Sequence, residues 1–378
     1  MKTLVFGGSF DPPHEGHAAL LAAAAERVRP QRILIVHAWR ARLKDAAPAA
    51  PAAERLALVR LGVIDALPRR WRRRARLDAR EARSARVVPT VETLSRLKKA
   101  RPWEELHFVC GQDSAASFAR WTAPARLRAL AHWWYGARPG AASKPPRHFR
   151  RVPGRFPAVS STALREALAL GRDTPLLRKS VRARIEERGL YGGRLLRRLR
   201  ATLKPGRVEH TLNVAALAAE LARAHGADAD KALLAGLLHD LGRRFPPHRL
   251  ADYARRRRLP APLRDRLIER EPMLLHAYAS ADIARRELGV TDPEVLSAVS
   301  KHTLGAGRMS TLDKVVYVAD ACSADRSHPG VSATRRLALR DLDAALRRCV
   351  KDKLAHARAR EAWIHPVTLS LWKSLRPR

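Results

Sequence analysis

The chain has 378 residues, 46% of them hydrophobic, which is length and apolar content enough for about two domains that each bury a core. It carries 74 Lys and Arg residues against 36 Asp and Glu residues, a formal net charge of +38. The composition excludes a wholly disordered chain. The charge favours polyanionic partners, either phosphorylated small molecules or nucleic acid.

Cysteine usage and hydropathy limit the class of protein further. The three scattered cysteines, Cys110, Cys322 and Cys349, are too few for a disulfide framework or a cysteine-based zinc site. No apolar stretch approaches the roughly 18 residues that a membrane span requires. Residues 1–6 run directly into a glycine turn, which leaves no room for a signal peptide. We therefore expect a cytoplasmic protein with no membrane partner.

The first half of the chain alternates strand-like and helix-like segments. Short buried strands are predicted over residues 3–6, 32–37, 106–110 and 131–136. A helix is predicted over about 17–28, and another begins at about Ser114. Residues 138–157 are rich in Pro, Gly and Arg, which predicts a long loop. This alternation indicates βαβ units around a parallel sheet, the arrangement of an α/β fold.

The second half is predicted to be all helical. From about Arg194 onward, apolar residues recur at spacings of three and four, for example at Leu212, Ala215, Ala216 and Ala219. The Gly192-Gly193 pair marks the expected seam, so we predict domains at 1–193 and 194–378. Arginine runs at 69–76, 147–151 and 255–258 are interpreted as solvated faces or loops.

The first predicted strand leads into the segment GGSFDPPHEGH, residues 7–17. Its glycines let the main chain approach a ligand closely, and the turn ends at a helix N-terminus, where N–H groups and the helix dipole favour an anion. His14 and His17 are three residues apart, so both rings can face one phosphate cluster. Phosphoryl or adenylyl transfer needs such donors to hold phosphates and to neutralise charge that develops in the transition state.

This segment resembles the HxGH signature of the nucleotidyltransferase superfamily, and most closely that of the bacterial nicotinate-nucleotide adenylyltransferases. Residues 159–165 (VSSTALR) are similar to a second motif of that family. Hydroxyls and amides at a helix start, with Arg165 one turn along, suit the phosphates of ATP. Weaker similarities lie at 90–94, at 111–114 with Trp121, and at 185–191. The resemblance covers about residues 1–193 and implies a Rossmann-like domain that transfers AMP from Mg²⁺-ATP to nicotinate mononucleotide, giving deamido-NAD and pyrophosphate.

The same resemblance implies site residues. Those matched to ATP contacts are Gly7, Gly8, Ser9, Phe10, His14, His17, Gly111, Asp113, Ser161, Thr162 and Arg165, with His14 and His17 in the catalytic role. Thr90 and Trp121 match positions beside the pyridine nucleotide, and Lys44, with Arg40 or Arg42, matches phosphate-binding positions. Trp121 as a core residue and the cations as an exposed face stay open as alternatives. Pro89 stands where the family has Tyr, and Gln112 replaces a smaller residue, so the identity of the acceptor also stays open.

The helical half carries histidine and aspartate residues in a distinctive order. His239 and Asp240 end the very apolar stretch 233–238, where burying them without a partner is costly. A metal ion is a suitable partner, and mixed imidazole and carboxylate ligands suit Fe, Mn or Co better than structural zinc. The candidate ligands are His210, His239, Asp240, His276, His302 and Asp320. They suffice for two metal ions that share Asp240 and a hydroxide, which would supply a nucleophile at neutral pH.

This ordered set resembles the HD superfamily of metal-dependent phosphohydrolases. Further similarity at 207–211, 236–240, 301–303, 313–320, 328–331 and 341–369 points to the bacterial subgroup that splits diadenosine tetraphosphate symmetrically into two ADP. The resemblance covers about 200–375 and implies an all-α domain with a di-iron centre and Asp240 in a catalytic role. Lys301, Lys314 and Arg326 are candidates for binding the polyphosphate, with ordinary surface cations as the alternative.

Two positions depart from the subgroup. Ser323 stands where the subgroup has an acidic residue, and Asp325 stands where it often has Gly. We expect these changes to affect contacts with the substrate rather than with the metal ligands.

The sequence therefore predicts a bifunctional enzyme, an α/β Rossmann-like nucleotidyltransferase domain followed by an all-α HD domain. Its expected partners are ATP, nicotinate mononucleotide and diadenosine tetraphosphate. Alternatives are another phosphorylated acceptor for the first domain, and a guanosine polyphosphate or nucleoside phosphate as substrate of the second. A basic nucleic-acid-binding protein has little support beyond charge, because aromatic residues are only 5% of the chain. The metal and the oligomeric state, a homo-oligomer included, stay open.

Overall fold

The computed structural model describes residues 1–39, 49–84, 86–137, 139 and 144–375. Its internal contacts divide the chain into two units, Met1–Arg194 and Leu195–Arg378.

The first unit is built on a six-stranded sheet. Its strands are β1 (Lys2–Gly8), β2 (Arg32–His37), β3 (Ala75–Asp78), β4 (Glu105–Gly111), β5 (His132–Gly136) and β6 (Arg150–Val152). Its helices are α1 (Glu15–Val28), α2 (Ala52–Val59), α3 (Arg69–Arg72), α4 (Arg80–Arg83), α5 (Thr90–Ala100), α6 (Gln112–Ala116), α7 (Pro124–Leu130), α8 (Ser161–Ala169) and α9 (Lys179–Arg188). A π-helical turn at Arg60–Ile64 continues α2, and a 3₁₀ turn covers Phe118–Arg120.

The strand order β3-β2-β1-β4-β5-β6 is that of a doubly wound sheet, and every pair of neighbours is parallel. Helices cover both faces, so the central strands are apolar on both sides. In β2, Ile33 and Ile35 enter one core cluster while Leu34 and Val36 enter the other. The direction of winding reverses between β1 and β4, and at such a point the carboxyl ends of the strands leave a crevice for a ligand.

The four predicted strands and the predicted α/β class are confirmed, but two strands were missed. β3 and β6 lie at the two edges of the sheet, and both are short and contain charged residues. An edge strand has one side open to solvent, so it tolerates charged side chains and gives little apolar signal. The interpretation of 138–157 as one long loop is therefore wrong at Arg150–Val152.

The second unit is helical, and its described residues, 195–375, contain no strand. Its helices are α10 (Gly193–Thr202), which begins at the end of the first unit, α11 (Pro205–Ala224), α12 (Ala229–Leu238), α13 (Pro247–Arg257), α14 (Arg264–Arg270), α15 (His276–Leu288), α16 (Pro293–Lys301), α17 (Thr311–Cys322), α18 (Val331–Ala338), α19 (Leu342–Ala359) and α20 (Pro366–Ser374). Short 3₁₀ turns cover Leu241–Arg244 and Pro272–Leu275. None of the described helices is both long and apolar enough to cross a membrane.

Small residues bring α11 and α12 close together. Ala215 and Ala218 on α11 and Ala232 and Ala235 on α12 are fully buried. At Gly236 of α12, an added Cβ would lie 2.5 Å from the Cα of Ala215. The close contact places the middle of α11 beside the end of α12, where the sequence predicts metal ligands.

Gly236→Ala is expected to destabilise the second unit by about 1–3 kcal/mol, the usual cost of forcing extra atoms into a packed contact. The nearest atoms belong to the main chain of Ala215, which cannot move aside without separating the two helices. Urea denaturation of the full chain, followed by far-ultraviolet circular dichroism, measures the change. The matched control is Gly206→Ala in the first turn of α11, where an added Cβ meets nothing within 4 Å. Equal midpoints for the two variants would contradict the packing argument.

Candidate active sites

The loop after β1 and the start of α8 form a candidate phosphate site in the first unit. The Ser161 hydroxyl donates to the main-chain oxygen of Pro12 at 2.9 Å, and the Arg165 guanidinium donates to that of Asp11 at 2.9 Å. Arg165 also lies 3.3 Å from the Thr162 hydroxyl. The Ser160 side chain caps α8 by accepting from a main-chain N–H. The structure thus brings the 159–165 motif onto the 7–17 loop.

The two histidines of the loop lie against each other at the start of α1. Their ring centroids are 3.7 Å apart, and the main-chain N–H of His14 donates to Nδ1 of His17 at 3.2 Å. Since Nδ1 accepts, a neutral His17 carries its proton on Nε2 and presents an N–H donor there. Gly16 leaves room for the His14 ring, because a Cβ at that position would lie 3.1 Å from Nδ1 of His14.

Phe10 packs beneath the loop that carries His17, on the side of the core. Its side chain is buried, and its ring packs against Phe6 at 5.4 Å and His17 at 5.2 Å between centroids. Its φ of 45° is in the left-handed region, which a bulky residue adopts only when its surroundings hold it there. The sequence placed Phe10 among the ATP contacts. Because the ring is buried, only its main chain could reach a nucleotide, and the side chain positions His17 instead.

A buried arginine fixes the position of the loop. The Arg55 side chain is only 1% exposed, and its guanidinium donates to four main-chain carbonyls, those of Ser9, Ala38, Trp39 and Ala50. Burial, and then the charge of Arg55, lowers the pKa of the neighbouring His37 to about 4, so that imidazole is neutral at physiological pH. Sequence reasoning missed Arg55. Its neighbours in α2 are an ordinary mixture of apolar and charged residues, which gives no indication that one arginine is fully buried.

The Asp11 carboxylate holds the same loop by accepting hydrogen bonds from main-chain N–H groups, whereas Arg55 donates to main-chain oxygens. It accepts from the main-chain N–H groups of Ala49 at 2.7 Å and Ala50 at 3.2 Å, and from the Tyr191 hydroxyl at 3.0 Å. Burial, reinforced by the Asp11 charge, raises the pKa of Tyr191, so the hydroxyl remains a donor. Asp11 and Arg55 therefore tie the loop to the chain that follows β2 and to the end of the unit.

A cavity of about 390 Å³ lies beside the loop, at the point where the direction of winding reverses. Among its lining residues are Gly7, Gly8, Ser9, Thr90, Asp113 and Trp121. The structure thus brings the predicted acceptor residues Thr90 and Trp121 to the predicted nucleotide loop. Gly111 is the last residue of β4 and directly precedes α6, whose second residue is Asp113. Lys44, Arg40 and Arg42 lie outside the described residues.

Trp121 packs in the core and also lines the cavity, so its position is compatible with both interpretations of the sequence. Its half-buried ring packs on Phe108 at 6.0 Å and on Phe118 at 5.5 Å between centroids, as a core residue would. Its indole N–H donates to the Ser117 hydroxyl at 3.3 Å. The ring also lines the cavity, where a flat aromatic surface could stack on a ligand.

Glu81 is a cavity residue that sequence reasoning missed. It is buried, and its carboxylate accepts a hydrogen bond from the Thr93 hydroxyl, so the pair joins α4 to α5. Burial raises the pKa of Glu81. The available signal was an acidic residue just beyond a strand end, but β3 itself was not predicted.

The six candidate metal ligands of the second unit come together. His210 lies inside α11, which begins at Pro205. His239 and Asp240 follow α12, His276 begins α15, His302 follows α16, and Asp320 lies in α17. Ligand atoms lie within 4.8 Å of one another in two groups, His210 with His239 and Asp320, and His239 with Asp240 and His302. Nε2 of His276 is 3.3 Å from Asp240 Oδ1.

Three of the four histidines are oriented in the same way. In His239, His276 and His302, Nδ1 lies 2.6–2.7 Å from the main-chain oxygen three residues earlier. Nδ1–H is therefore the donor, and Nε2 carries a lone pair that faces the cluster. Nε2 of His239 is buried and has no hydrogen-bond partner among the described residues.

The donor set fits divalent metal ions. Nε2 of His276 and Nε2 of His302 face each other at 3.0 Å, with the Thr303 hydroxyl within 3.0 Å of both. Two lone pairs at that distance repel each other unless a positive group lies against them. A cation bound by these nitrogens and the adjacent carboxylates would relieve the repulsion and give His239 Nε2 a partner.

The protonation states suit the same interpretation. Burial opposes the charge of Asp240, but His239 and His276 outweigh it and hold its pKa below the ordinary value. The pKa of Asp320 also lies well below its ordinary value, because the hydrogen bond from His210 outweighs burial. Burial lowers the pKa of His302 to about 4 and that of His276 well below its ordinary value. Anionic carboxylates and neutral imidazoles are the forms that bind metal.

Three arginines contact the carboxylates of the cluster. Arg207 and Arg243 reach Asp240 at 2.9 and 3.4 Å, and Arg326 reaches Asp320 at 2.8 Å. Sequence reasoning proposed Arg326 but missed Arg207 and Arg243. The signal was present, since each lies three residues from a candidate ligand, Arg207 before His210 and Arg243 after Asp240.

The two lysines predicted to bind polyphosphate have other partners. Lys301 pairs with Asp313 at 2.7 Å, and Lys314 pairs with Asp343 at 2.7 Å. Asp313 is buried and also caps the start of α17, so the first pair joins α16 to α17. Among the described residues, no side-chain hydrogen bond or ion pair joins either lysine to the six ligands, and their polyphosphate role stays a prediction.

His210 is the exception among the four histidines. Its Nδ1 lies 2.8 Å from Asp325 Oδ2, and its Nε2 lies 3.0 Å from Asp320 Oδ1. Burial opposes a positive charge on the ring, but the hydrogen bonds with Asp320 and Asp325 raise the pKa of His210. The expectation that position 325 affects substrate contacts rather than metal ligands is therefore wrong, because Asp325 contacts a candidate ligand directly.

Comparison with known proteins gives matches for both units. The cytidylyltransferase-like family model matches residues 5–167, and the HD domain model matches residues 207–325. The symmetrical bis(5'-nucleosyl)-tetraphosphatase of Bacillus subtilis is 36% identical over 159 residues, which is 42% of this chain and 83% of that protein. The probable nicotinate-nucleotide adenylyltransferase of Roseiflexus castenholzii is 35% identical over 205 residues, 50% of this chain and 98% of that protein.

A third relative matches both units in one alignment. The probable nicotinate-nucleotide adenylyltransferase/Ap4A hydrolase of Mycoplasma pneumoniae is 28% identical over 351 residues, which is 90% of this chain and 96% of that protein. The two units are therefore joined in the same order in another protein of similar extent.

Arg55→Lys is expected to lower the free energy of unfolding of the first unit by about 3 kcal/mol or more. A lysine keeps the charge but cannot reproduce the planar fork, and each buried carbonyl left without a donor costs about 1–3 kcal/mol. Urea denaturation followed by tryptophan fluorescence measures the change, since most of the tryptophans lie in this unit. Arg60→Lys, on the exposed side of the adjoining turn, is the control. If both variants unfold at the same urea concentration, Arg55 does not anchor the loop.

Proposed function

The chain belongs to the nicotinate-nucleotide adenylyltransferase family over its first unit and to the symmetrical bis(5'-nucleosyl)-tetraphosphatase family over its second, and on that premise we propose a bifunctional enzyme. The first activity transfers AMP from ATP to nicotinate mononucleotide, giving deamido-NAD and pyrophosphate. The second hydrolyses diadenosine tetraphosphate to two ADP. We assign the first to a domain at residues 1–193 and the second to a domain at 194–378.

The adenylyltransferase proposal is supported by the contact between the 7–17 loop and the 159–165 motif. Arg165 and Ser161 are held at the loop by their bonds to Asp11 and Pro12, beside the paired rings of His14 and His17. In the proposed reaction, the phosphate oxygen of nicotinate mononucleotide attacks the α-phosphorus of Mg²⁺-ATP, and pyrophosphate leaves. No covalent intermediate with the protein is needed, because orientation and charge stabilisation by fixed donors lower the barrier.

The cavity beside the loop is the proposed acceptor site. Its position at the carboxyl ends of β1 and β4 would bring an acceptor bound near Thr90 and Trp121 alongside ATP held at the loop. The Trp121 ring would stack on the pyridine. Arg55 and Asp11 contribute indirectly, since they hold the loop in the position that this alignment requires.

The full-length protein incubated with ATP and nicotinate mononucleotide is expected to release pyrophosphate and deamido-NAD in equal amounts. His17→Ala should lower kcat about 100-fold or more, because it removes a donor to the reacting phosphates. His132→Ala, an exposed histidine at the amino end of β5, is the control and should leave kcat unchanged. Absence of the two products from the wild-type reaction, or full activity of His17→Ala, would overturn the assignment.

The hydrolase proposal is supported by the convergence of four imidazoles and two carboxylates. His210, His239 and Asp320 would hold one divalent metal ion, His276 and His302 would hold a second, and Asp240 lies where it can serve both. Mixed nitrogen and oxygen ligands favour iron, manganese or cobalt, and we propose iron. When bound, such ions neutralise phosphate charge and lower the pKa of an attacking water molecule.

The protein's own cations would bind the polyphosphate chain beside the metal ions. Arg207, Arg243 and Arg326 already lie at the ligand carboxylates, and each guanidinium has five N–H donors. One arginine can therefore keep its bond to a carboxylate and still bind a phosphate oxygen. The imidazoles of His239, His276 and His302 are buried and are held by main-chain oxygens. These rings therefore need little rearrangement when the substrate enters.

His239→Ala is expected to abolish ADP release from diadenosine tetraphosphate and to lower the bound metal content, while adenylyl transfer stays at the wild-type rate. Metal analysis and product chromatography of the same anaerobically purified sample measure both. His248→Ala, an exposed histidine on α13, is the control. Loss of both activities together would indicate collapse of the structure or a shared site. Hydrolysis of a guanosine polyphosphate but not of diadenosine tetraphosphate would replace the proposed substrate.

A further inference from the structure

The Nδ1 atoms of the four histidines in the cluster have two kinds of hydrogen-bond partner, a main-chain oxygen in three of them and a carboxylate in the fourth. A histidine that binds metal through Nε2 must keep its proton on Nδ1, and a hydrogen-bond acceptor at Nδ1 secures this. His239, His276 and His302 lie at helix ends, where the main-chain oxygen three residues earlier is turned toward the ring. These three residues therefore need no further side chain to set the tautomer.

His210 has no such carbonyl because it lies in the middle of a helix. It is the sixth residue of α11, whose main-chain oxygens take part in the helix's own hydrogen bonds. The oxygen of Arg207, three residues earlier, also accepts from the Thr211 hydroxyl at 2.8 Å. The His210 ring extends from the helix to the segment after α17, where Asp325 Oδ2 lies 2.8 Å from Nδ1.

We propose that Asp325 is the positioning residue of the metal centre, holding the proton of His210 on Nδ1 so that Nε2 is presented to the metal ion. This inference rests on the metal centre of the proposed hydrolase. Asp320 cannot take the same part, since it lies at Nε2 and is itself a candidate ligand. A charged acceptor forms a stronger hydrogen bond than a carbonyl and makes the imidazole a better electron donor, so His210 gains affinity that the other three histidines lack.

The segment that carries Asp325 is held in place from both sides. Arg335 donates to the main-chain oxygens of Cys322 at 2.7 Å and Ser323 at 2.6 Å. The main-chain N–H of Arg326 closes a turn onto the Ser323 oxygen at 3.0 Å. The Arg326 side chain donates to the main-chain oxygen of Asp320 at 3.1 Å and to its carboxylate at 2.8 Å. These bonds fix the Asp325 carboxylate relative to α17, and therefore relative to Asp320.

The test is the affinity of the full-length, metal-stripped protein for Mn²⁺, measured by equilibrium dialysis. Asp325→Ala is expected to raise the dissociation constant of one of two Mn²⁺ sites about 10–100-fold, the usual effect of losing the partner of a metal-binding histidine. Asp325→Asn should lose less affinity, because its amide oxygen can still accept from Nδ1–H but without the charge. Asp352→Ala, an exposed aspartate on α19, removes the same charge and should bind as the wild type does.

The outcomes separate the possible roles. A purely structural role would lower the thermal midpoint of the metal-free protein and leave the Mn²⁺ affinity of the folded fraction unchanged, which would overturn the proposal. An equal loss of affinity in Asp352→Ala would overturn it too, because net charge would then be the cause. The isosteric Asp325→Asn keeps the test decisive if Asp325→Ala does not fold. A wild-type protein without Mn²⁺ affinity would instead refute the metal centre itself.

Discussion

The main-chain groups that a helix presents at its two ends are the constraint on which both candidate sites depend. In the first unit, the N-termini of α1 and α8, ends that favour an anion, meet through the bonds of Ser161 and Arg165 to the loop. In the second unit, oxygens at the ends of α12 and α16 accept from His239 and His302 and set their tautomers. The helix N-termini of the first unit suit a phosphate. The helix C-termini of the second unit orient histidines for metal ions, which neutralise phosphate charge when bound.

Helix ends supply this chemistry only when buried charges hold them in place. Arg55 anchors the loop of the first unit through carbonyls at Ser9 and after β2, while Asp11 takes the matching N–H groups. In the second unit the histidines and the arginines at Asp240 and Asp320 keep two carboxylates ionised, one buried and one partly buried. In both units a charge that would be costly alone is offset by several fixed partners, which is why removing one partner has a large effect.

The sequence predicts most strongly what is local and periodic. The central strands are continuous apolar runs, as at Arg32–His37, and the histidine motifs have short fixed spacings. The edge strands at Ala75–Asp78 and Arg150–Val152 lack that signal, since an edge needs few apolar residues. Glu81, Arg55 and the contact of Asp325 with His210 were also missed, because they depend on contacts between residues that are distant in sequence. Arg243 lies three residues from its partner Asp240, a local signal, whereas Arg207 reaches Asp240 across 33 residues of sequence.

The large positive charge of the chain contributes less to the proposed specificity than its size suggests. A net charge of +38 attracts any polyanion, but at physiological ionic strength the interaction of exposed charges fades over about 8 Å. Selection between nucleotides must then come from the few cations that are fixed at the sites, such as Arg165 at the loop and Arg326 at Asp320. These side chains are held by oxygens of the protein before any substrate arrives, so their donors are already oriented. The remaining arginines raise the local concentration of anionic substrates without distinguishing one from another.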